Sequence, residues 1–227
     1  MRKDIEGVAF DLDGTLYPNY RLNIRILPFA FREWNLLSAF GKTREIIRQE
    51  QEKGFLPQGD FYEYQAEITA KLLSVHPGQL KEKIERLIYR GWEPLFKNVK
   101  LFKGVHETLD TLKKSGLKLG LLSDFPPETK LEYLGVAGYW DAVHCSERCN
   151  ALKPHPMSFL EIAEKMSLPP EKILYVGNSH RYDVTGAARA GMKTAWIKPV
   201  LCPNGNKKPK PDFIFTSYRQ FFNYMLV

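Results

Sequence analysis

The chain has 227 residues, of which 44% are hydrophobic and 26% charged, with a formal net charge of +7. At roughly 100–200 residues per domain this is one domain, or one domain carrying a sizeable insertion, and its composition excludes disordered, collagenous and low-complexity classes. No apolar run approaches the ~18 residues of a membrane span, and acids interrupt the N-terminal MRKDIEGVAFDLDG, so an intracellular (cytoplasmic) protein with no membrane partner is expected.

Residues 5–10 are mostly apolar and run into Asp11, Asp13 and Gly14, the pattern of a buried strand ending at a polar loop. From Pro18 to Lys100 the texture changes to many Glu, Lys, Arg and Gln, with apolar residues at helical spacing. Phe61, Tyr64, Ile68 and Leu72 share one helical face, as do Leu80, Ile84, Leu87 and Ile88. Pro28 suits the first turn of a helix over 29–40, which Gly41 closes. Beyond Lys100 the expected order is helix 104–115, strand 117–122, helix 127–134, strand 140–145, helix 156–166 and strand 172–176. It continues with helix 183–190, closed by Gly191, and strands 194–197 and 212–215. Such alternation, with strands apolar enough to be covered on both faces, predicts an α/β fold with a parallel sheet between helices. The chain then divides into a core of residues 1–16 and 101–227 and an all-helical insertion of residues 17–100. In open parallel sheets ligands bind beyond the carboxyl ends of the strands, and the insertion leaves where the first strand reaches that edge. It is expected to cover the site like a lid.

Cys145, Cys149 and Cys202 are too few and too unevenly spaced for a disulfide framework or a structural zinc site, so free thiols are expected. The basic residues are scattered, and the densest run, KKPKP at 207–211, follows Pro203, Asn204 and Gly205 and reads as a solvated loop, so no nucleic-acid partner is expected. His76, His106, His144 and His155 show no metal-ligand spacing, and Trp34, Phe61, Tyr62 and Trp92 read as core of the insertion.

Polar residues fall at or after the ends of the expected strands: Asp11 and Asp13, then Ser123, Lys153, and Asn178 with Asp183. Two residues apart on an extended chain, Asp11 and Asp13 project from the same face, and like charges that close resist double ionisation, so one is expected to hold a proton the other lacks. Asp183 also suits the N-terminus of the helix that follows it.

DLDGTLY, LLSDF, ALKPHP and YVGNSHRYDVTGAARAG resemble, in chain order, the four motifs of the haloacid dehalogenase superfamily, over residues 7–199. The resemblance implies a Rossmann-like core with a helical cap inserted after the first motif, and a Mg2+-dependent phosphatase acting on a small phosphomonoester metabolite. It assigns Asp11 as the nucleophile that forms an aspartyl-phosphate, Asp13 as the acid and base, and Ser123 and Lys153 as phosphate contacts. The Mg2+ ligands it implies are Asp11, the Asp13 carbonyl and an acidic residue of the fourth motif, where this chain has Asn178 in place of the family's usual Asp, with Asp183 five residues on. Either Asn178 ligates with Asp183 behind it, or Asp183 takes its place. Asp13 argues against dehalogenation, since a halide leaves without a proton; a phosphomutase and a non-catalytic binding protein are the alternatives. Oligomeric state is not legible.

Overall fold

Strand β1, Gly7–Phe10, lies at the centre of a sheet in which β2 (Lys118–Ser123), β3 (Ala142–Cys145), β4 (Ile173–Gly177), β5 (Lys193–Ile197) and β6 (Phe213–Phe215) follow along the chain. The structure is a computed structural model that describes Arg2, residues 4–198 and residues 207–226; Cys202, Pro203, Asn204 and Gly205 lie outside the described residues. The sheet order is β3-β2-β1-β4-β5-β6, and every pairing is parallel. All six expected strands are present, with ends shifted by a residue or two.

The two-residue period of a strand sends neighbours to opposite faces. Val8 and Phe10 pack with Leu119, Leu121, Leu174 and Val176 on one side, while Ala9 packs with Leu122, Ile173 and Tyr175 on the other. This explains the near-continuous apolar runs: helices cover both faces. Helices α6 (Val105–Lys114) and α10 (Tyr218–Leu226) supply Leu109, Leu112 and Phe221 to the first layer. Helices α8 (Pro156–Lys165) and α9 (Thr185–Arg189) supply Phe159, Ile162 and Ala187 to the second.

Between β1 and β2 the chain is helical: α1 (Asn19–Arg32), α2 (Trp34–Glu52), α3 (Phe61–Leu73), α4 (Pro77–Ile84) and the short α5 (Arg90–Trp92). Asp60 caps α3 by accepting from Glu63 N at 2.8 Å, and Pro77 opens α4 where its missing N–H is harmless. The expected helix over 29–40 is corrected: Pro28 lies inside α1, Gly41 lies inside α2, and the break falls at Glu33. Burial of Leu36, Phe40 and Ile47 along one side of α2 outweighs the local signals, since packing of an amphipathic face supplies most helical stability. Leu36, Phe40, Ala70, Leu80, Ile84 and Ile88 form the insertion's own cluster, whereas Leu22 and Phe96 join the core of the sheet domain. Phe61 is buried as expected, but Leu72 and Trp34 are exposed. None of the described helices is long and apolar enough to cross a membrane.

The chain winds from β1 outward to β2 and β3, then returns to β4 on the other side of β1, which opens a crevice at the carboxyl edge between β1 and β4. Beneath that crevice α8 and α9 meet closely. A Cβ on Gly186 would stand 2.3 Å from Phe159 Cε2 and 3.0 Å from the Pro154 backbone. Gly186→Ala is therefore expected to cost about 1–3 kcal/mol of stability by overpacking, read as a lower urea midpoint; an unchanged midpoint would show that the layer yields freely.

Candidate active site

The parallel register aligns Phe10 with Leu121 on β2 and with Val176 on β4, so the next residue, Asp11, leaves the sheet between the ends of both neighbours. Its N–H donates to the Val176 carbonyl at 2.9 Å, which extends the ladder by one rung and fixes the carboxylate at the edge. Lys153 Nζ donates to Asp11 Oδ1 at 2.6 Å and to Asp183 Oδ1 at 2.8 Å, while Thr15 Oγ1 donates to Asp11 Oδ2 at 2.7 Å. Asp11, Lys153 and Asp183 are 5%, 4% and 1% exposed, so an ammonium buried among carboxylates holds the centre together. Burial pushes the Asp11 carboxyl up to about 7, with Lys153 opposing the rise, and the attraction of Asp11 and Asp183 keeps the Lys153 ammonium well above its ordinary value against burial.

Asp13 has separate partners. It accepts from the Tyr17 hydroxyl, and Lys130 Nζ on α7 (Glu128–Tyr133) lies 3.1 Å from its Oδ2. Both acids thus bind the hydroxyl of the residue four positions on, Asp11 with Thr15 and Asp13 with Tyr17, and the fully buried Leu12 separates them. Burial is the main influence that raises the Asp11 carboxyl, and the negative charges of Asp183 and Asp13 act in the same direction. Asp13 also lines a cavity of about 840 Å³ beneath the insertion, together with Tyr17, Tyr62, Trp92, Phe125 and Lys130. Tyr62 and Trp92 both line this space, and Trp92 also packs against the insertion's own core, as expected.

Ser123 closes β2, is buried, and its Oγ accepts from Phe125 N at 3.2 Å, leaving the hydroxyl proton to be directed elsewhere. Gly177 ends β4, and the chain turns through Asn178 and Ser179 into a π-helical turn, His180–Val184. Ser179 Oγ accepts from Tyr182 N at 3.1 Å while Asp183 Oδ2 accepts from Ser179 N at 2.8 Å, a reciprocal cap that orients the carboxylate. The capping role and the contact with Lys153 coexist on the two oxygens of Asp183. Asn178 is placed differently: its amide packs against Gly14, whose φ of +89° and lack of a side chain permit the approach, and a Cβ there would fall 2.0 Å from Asn178 Nδ2. The donor chemistry suits a hard dication: two buried carboxylates, each oxygen with one hydrogen-bond donor and a further lone pair. Among the described residues no group of three or more His, Cys, Asp and Glu side chains has a metal-binding arrangement, so backbone or amide oxygen would complete such a site.

Several further residues position this centre. Asp124 Oδ1 accepts from Lys153 N at 3.0 Å, and Arg48 on α2 donates to Asp124 Oδ2 at 2.7 Å and to the Lys153 carbonyl at 2.8 Å. Arg44 ion-pairs with the fully buried Glu147, and its guanidinium stacks 4.1 Å from the Phe125 ring centre. The Thr15 and Tyr17 contacts carry a sequence signal, the four-residue step inside DLDGTLY; Asp124 lies within LLSDF but nothing local encodes its partners, and the distant Arg48 and Lys130 carry no signal. His180 and Arg181 serve structure, His180 through the Pro209 carbonyl at 2.9 Å and Arg181 through Glu45 at 2.6 Å. His76 and His155 cap α4 and α8, and Cys145 and Cys149 are free thiols. Lys207 lies exposed, its ammonium 5.5 Å from the Trp196 ring centre.

Burial raises Asp124, but the Arg48, Lys153 and Arg44 charges outweigh it and hold the carboxyl at about 2. A carboxyl depressed in the folded state stabilises above its ordinary value and loses that contribution as pH falls toward the lower one. Asp124→Asn is expected to cost about 2 kcal/mol at pH 7, with the gap from the native protein narrowing between pH 4 and pH 2. Urea unfolding across pH measures it, and a gap independent of pH would contradict the ion-pair account.

The haloacid dehalogenase-like hydrolase family matches residues 5–191. The glyceraldehyde 3-phosphate phosphatase of Methanopyrus kandleri is 28% identical over 86% of this chain and 84% of its own length. The phosphoglycolate phosphatase of Escherichia coli strain K12 is 32% identical over 83% of this chain and 79% of its own. Among solved structures, a phosphatase of this family from Thermococcus onnurineus superposes with TM-score 0.63 at 25% identity, covering 97% of this chain and 98% of that one. The L-2-haloacid dehalogenase of Xanthobacter autotrophicus shares the fold, with TM-score 0.67, 18% identity and 98% of each chain covered. With the sheet, the inserted helical cap and this match across most of its length, the chain belongs to the haloacid dehalogenase-like hydrolases.

Proposed function

We propose that the chain is a Mg2+-dependent phosphatase that hydrolyses a phosphomonoester metabolite through an aspartyl-phosphate on Asp11. The observation that carries this reading is the division between the acids: Asp11 sits among buried cationic and hydroxyl donors at the strand edge, and Asp13 faces the cavity with partners of its own. The phosphatase names of the relatives support it. Residues 17–100 act as the cap and residues 1–16 with 101–227 as the catalytic core.

In this chemistry an Asp11 oxygen bonds to phosphorus as the bond to the alcohol oxygen breaks, and Asp13 delivers the proton that the departing alkoxide needs. Asp13 then takes a proton from water, whose oxygen attacks phosphorus and releases phosphate from Asp11. Ser123 donates its hydroxyl to a phosphoryl oxygen, and Lys153 offsets the charge that two carboxylates would otherwise set against an anionic substrate. Asp11, the Asp13 backbone carbonyl and Asp183 would hold Mg2+, with Asn178 beside them. When bound, the ion neutralises charge on the phosphoryl oxygens and the nucleophile. The contact of Asp183 with the lysine that binds Asp11 supports it over Asn178 as the second carboxylate-type ligand, and this weakens the non-catalytic reading suggested by Asn178. Free Cys145 and Cys149 fit a reducing, cytoplasmic setting.

Turnover of an aryl phosphate with and without Mg2+ tests the reading. Asp11→Asn is expected to fall to background and Asp13→Asn by about 10²–10⁴-fold; equal rates for the native protein and Asp11→Asn would end it. Asp183→Asn is expected to raise the Mg2+ concentration for half-maximal rate more than Asn178→Ala does, and Asn178→Asp to lower it. The reverse order would move the ligand to Asn178.

A further inference from the structure

Resting on the phosphatase reading, we propose that the ester carries a bulky, ring-sized apolar alcohol with no second anionic group, seated in the cavity beneath α1–α4. At about 840 Å³ the cavity falls within the roughly 300–1,000 Å³ of sites that enclose drug-sized ligands, so a two- or three-carbon fragment would leave most of it unfilled. Its walls include Leu22, Leu37, Phe40, Ile88 and Phe96, and Phe40 stacks on Phe125 with ring centres 6.3 Å apart.

The charges on the walls point the same way. Arg44, Lys81, Arg90 and Lys130 are matched by Asp13, Asp60, Glu85 and Glu93. Each cation is already engaged: Arg44 with Glu147, Lys81 with Glu63 at 2.9 Å, Arg90 with Glu85 at 2.6 Å and Lys130 with Asp13 at 3.1 Å. A carboxylate on the alcohol, as in phosphoglycolate, would have to compete with these anions for each of the four cations. The space also belongs to a docked cap, since Arg48 reaches Asp124 at 2.7 Å and Gln51 reaches the Asn150 carbonyl at 2.7 Å while the cavity stands open beside them. Asp13 lines the cavity and lies where the leaving oxygen of a seated alcohol needs its proton, whereas Asp11, Ser123 and Lys153 are more deeply buried.

The test is the kcat/KM of the full chain with Mg2+ on primary esters of matched leaving-group acidity: ethyl, 2-phenylethyl and 2-naphthylethyl phosphate, beside phosphoglycolate. Acetyl phosphate, small and activated, reports the phosphatase chemistry alone. The expected result is a rise of at least about 100-fold from ethyl to naphthylethyl, with phosphoglycolate below ethyl phosphate. Gly41 lines the cavity, and a Cβ there meets open space. Gly41→Trp is expected to lower the naphthylethyl value by about 10-fold or more. Turnover of acetyl phosphate with a flat or falling ester series, or with phosphoglycolate ahead of the naphthylethyl ester, overturns this inference and leaves the phosphatase reading standing. Inertness toward acetyl phosphate and every ester overturns both.

Discussion

The ammonium of Lys153, buried between Asp11 and Asp183, is the contact on which the geometry at the sheet edge depends. Removing a carboxylate from water costs several kcal/mol even after relaxation, and two lie here within hydrogen-bond reach of one cation. The lysine must therefore be placed accurately, and its backbone is held from both sides. Asp124 at the end of β2 accepts its N–H, and Arg48 from the cap donates to its carbonyl. Cap docking and the placement of the central charge are in this way one hydrogen-bonded unit, reaching from α2 through Asp124 to Lys153 and Asp11.

The two acids of the first motif differ because of what surrounds each. Asp11 continues the central strand into a closed edge, where burial favours its protonated form and Lys153 with Thr15 favours the ionised one. Asp13 is turned away by Leu12 toward the cavity, Tyr17 and Lys130. On the proposed chemistry this separation suits a nucleophile shielded from water and a proton carrier open to both leaving group and water.

Much of this was legible in the sequence. The alternation of apolar strands and amphipathic helices marks a sheet covered on both faces, and the break in texture after Pro18 marks the helical insertion. Polar residues at strand ends point to one edge, and the structure brings Asp11, Lys153 and Asp183 together there. The helix boundary near Pro28 and Gly41 was not legible, because a proline can lie within a helix and the packing of Leu36 and Phe40 sets where α2 runs. The charges that hold Lys153 were hidden for another reason: Arg48 and Asp124 are 76 residues apart, and no local spacing encodes such a pair. Tyr62 shows the same limit, since an aromatic side chain at helical spacing reads alike whether it meets another helix or a cavity.

The central claim is that Asp11, the acid at the closed edge, is the residue that bonds to phosphorus. A crystal structure of the protein soaked with beryllium trifluoride and magnesium tests it most directly. The account predicts the fluoroberyllate on an Asp11 oxygen, with Lys153 and Ser123 on the fluorides and Asp13 free of it. Density for the adduct on Asp13 or on Asp183, with Asp11 unmodified, would contradict it.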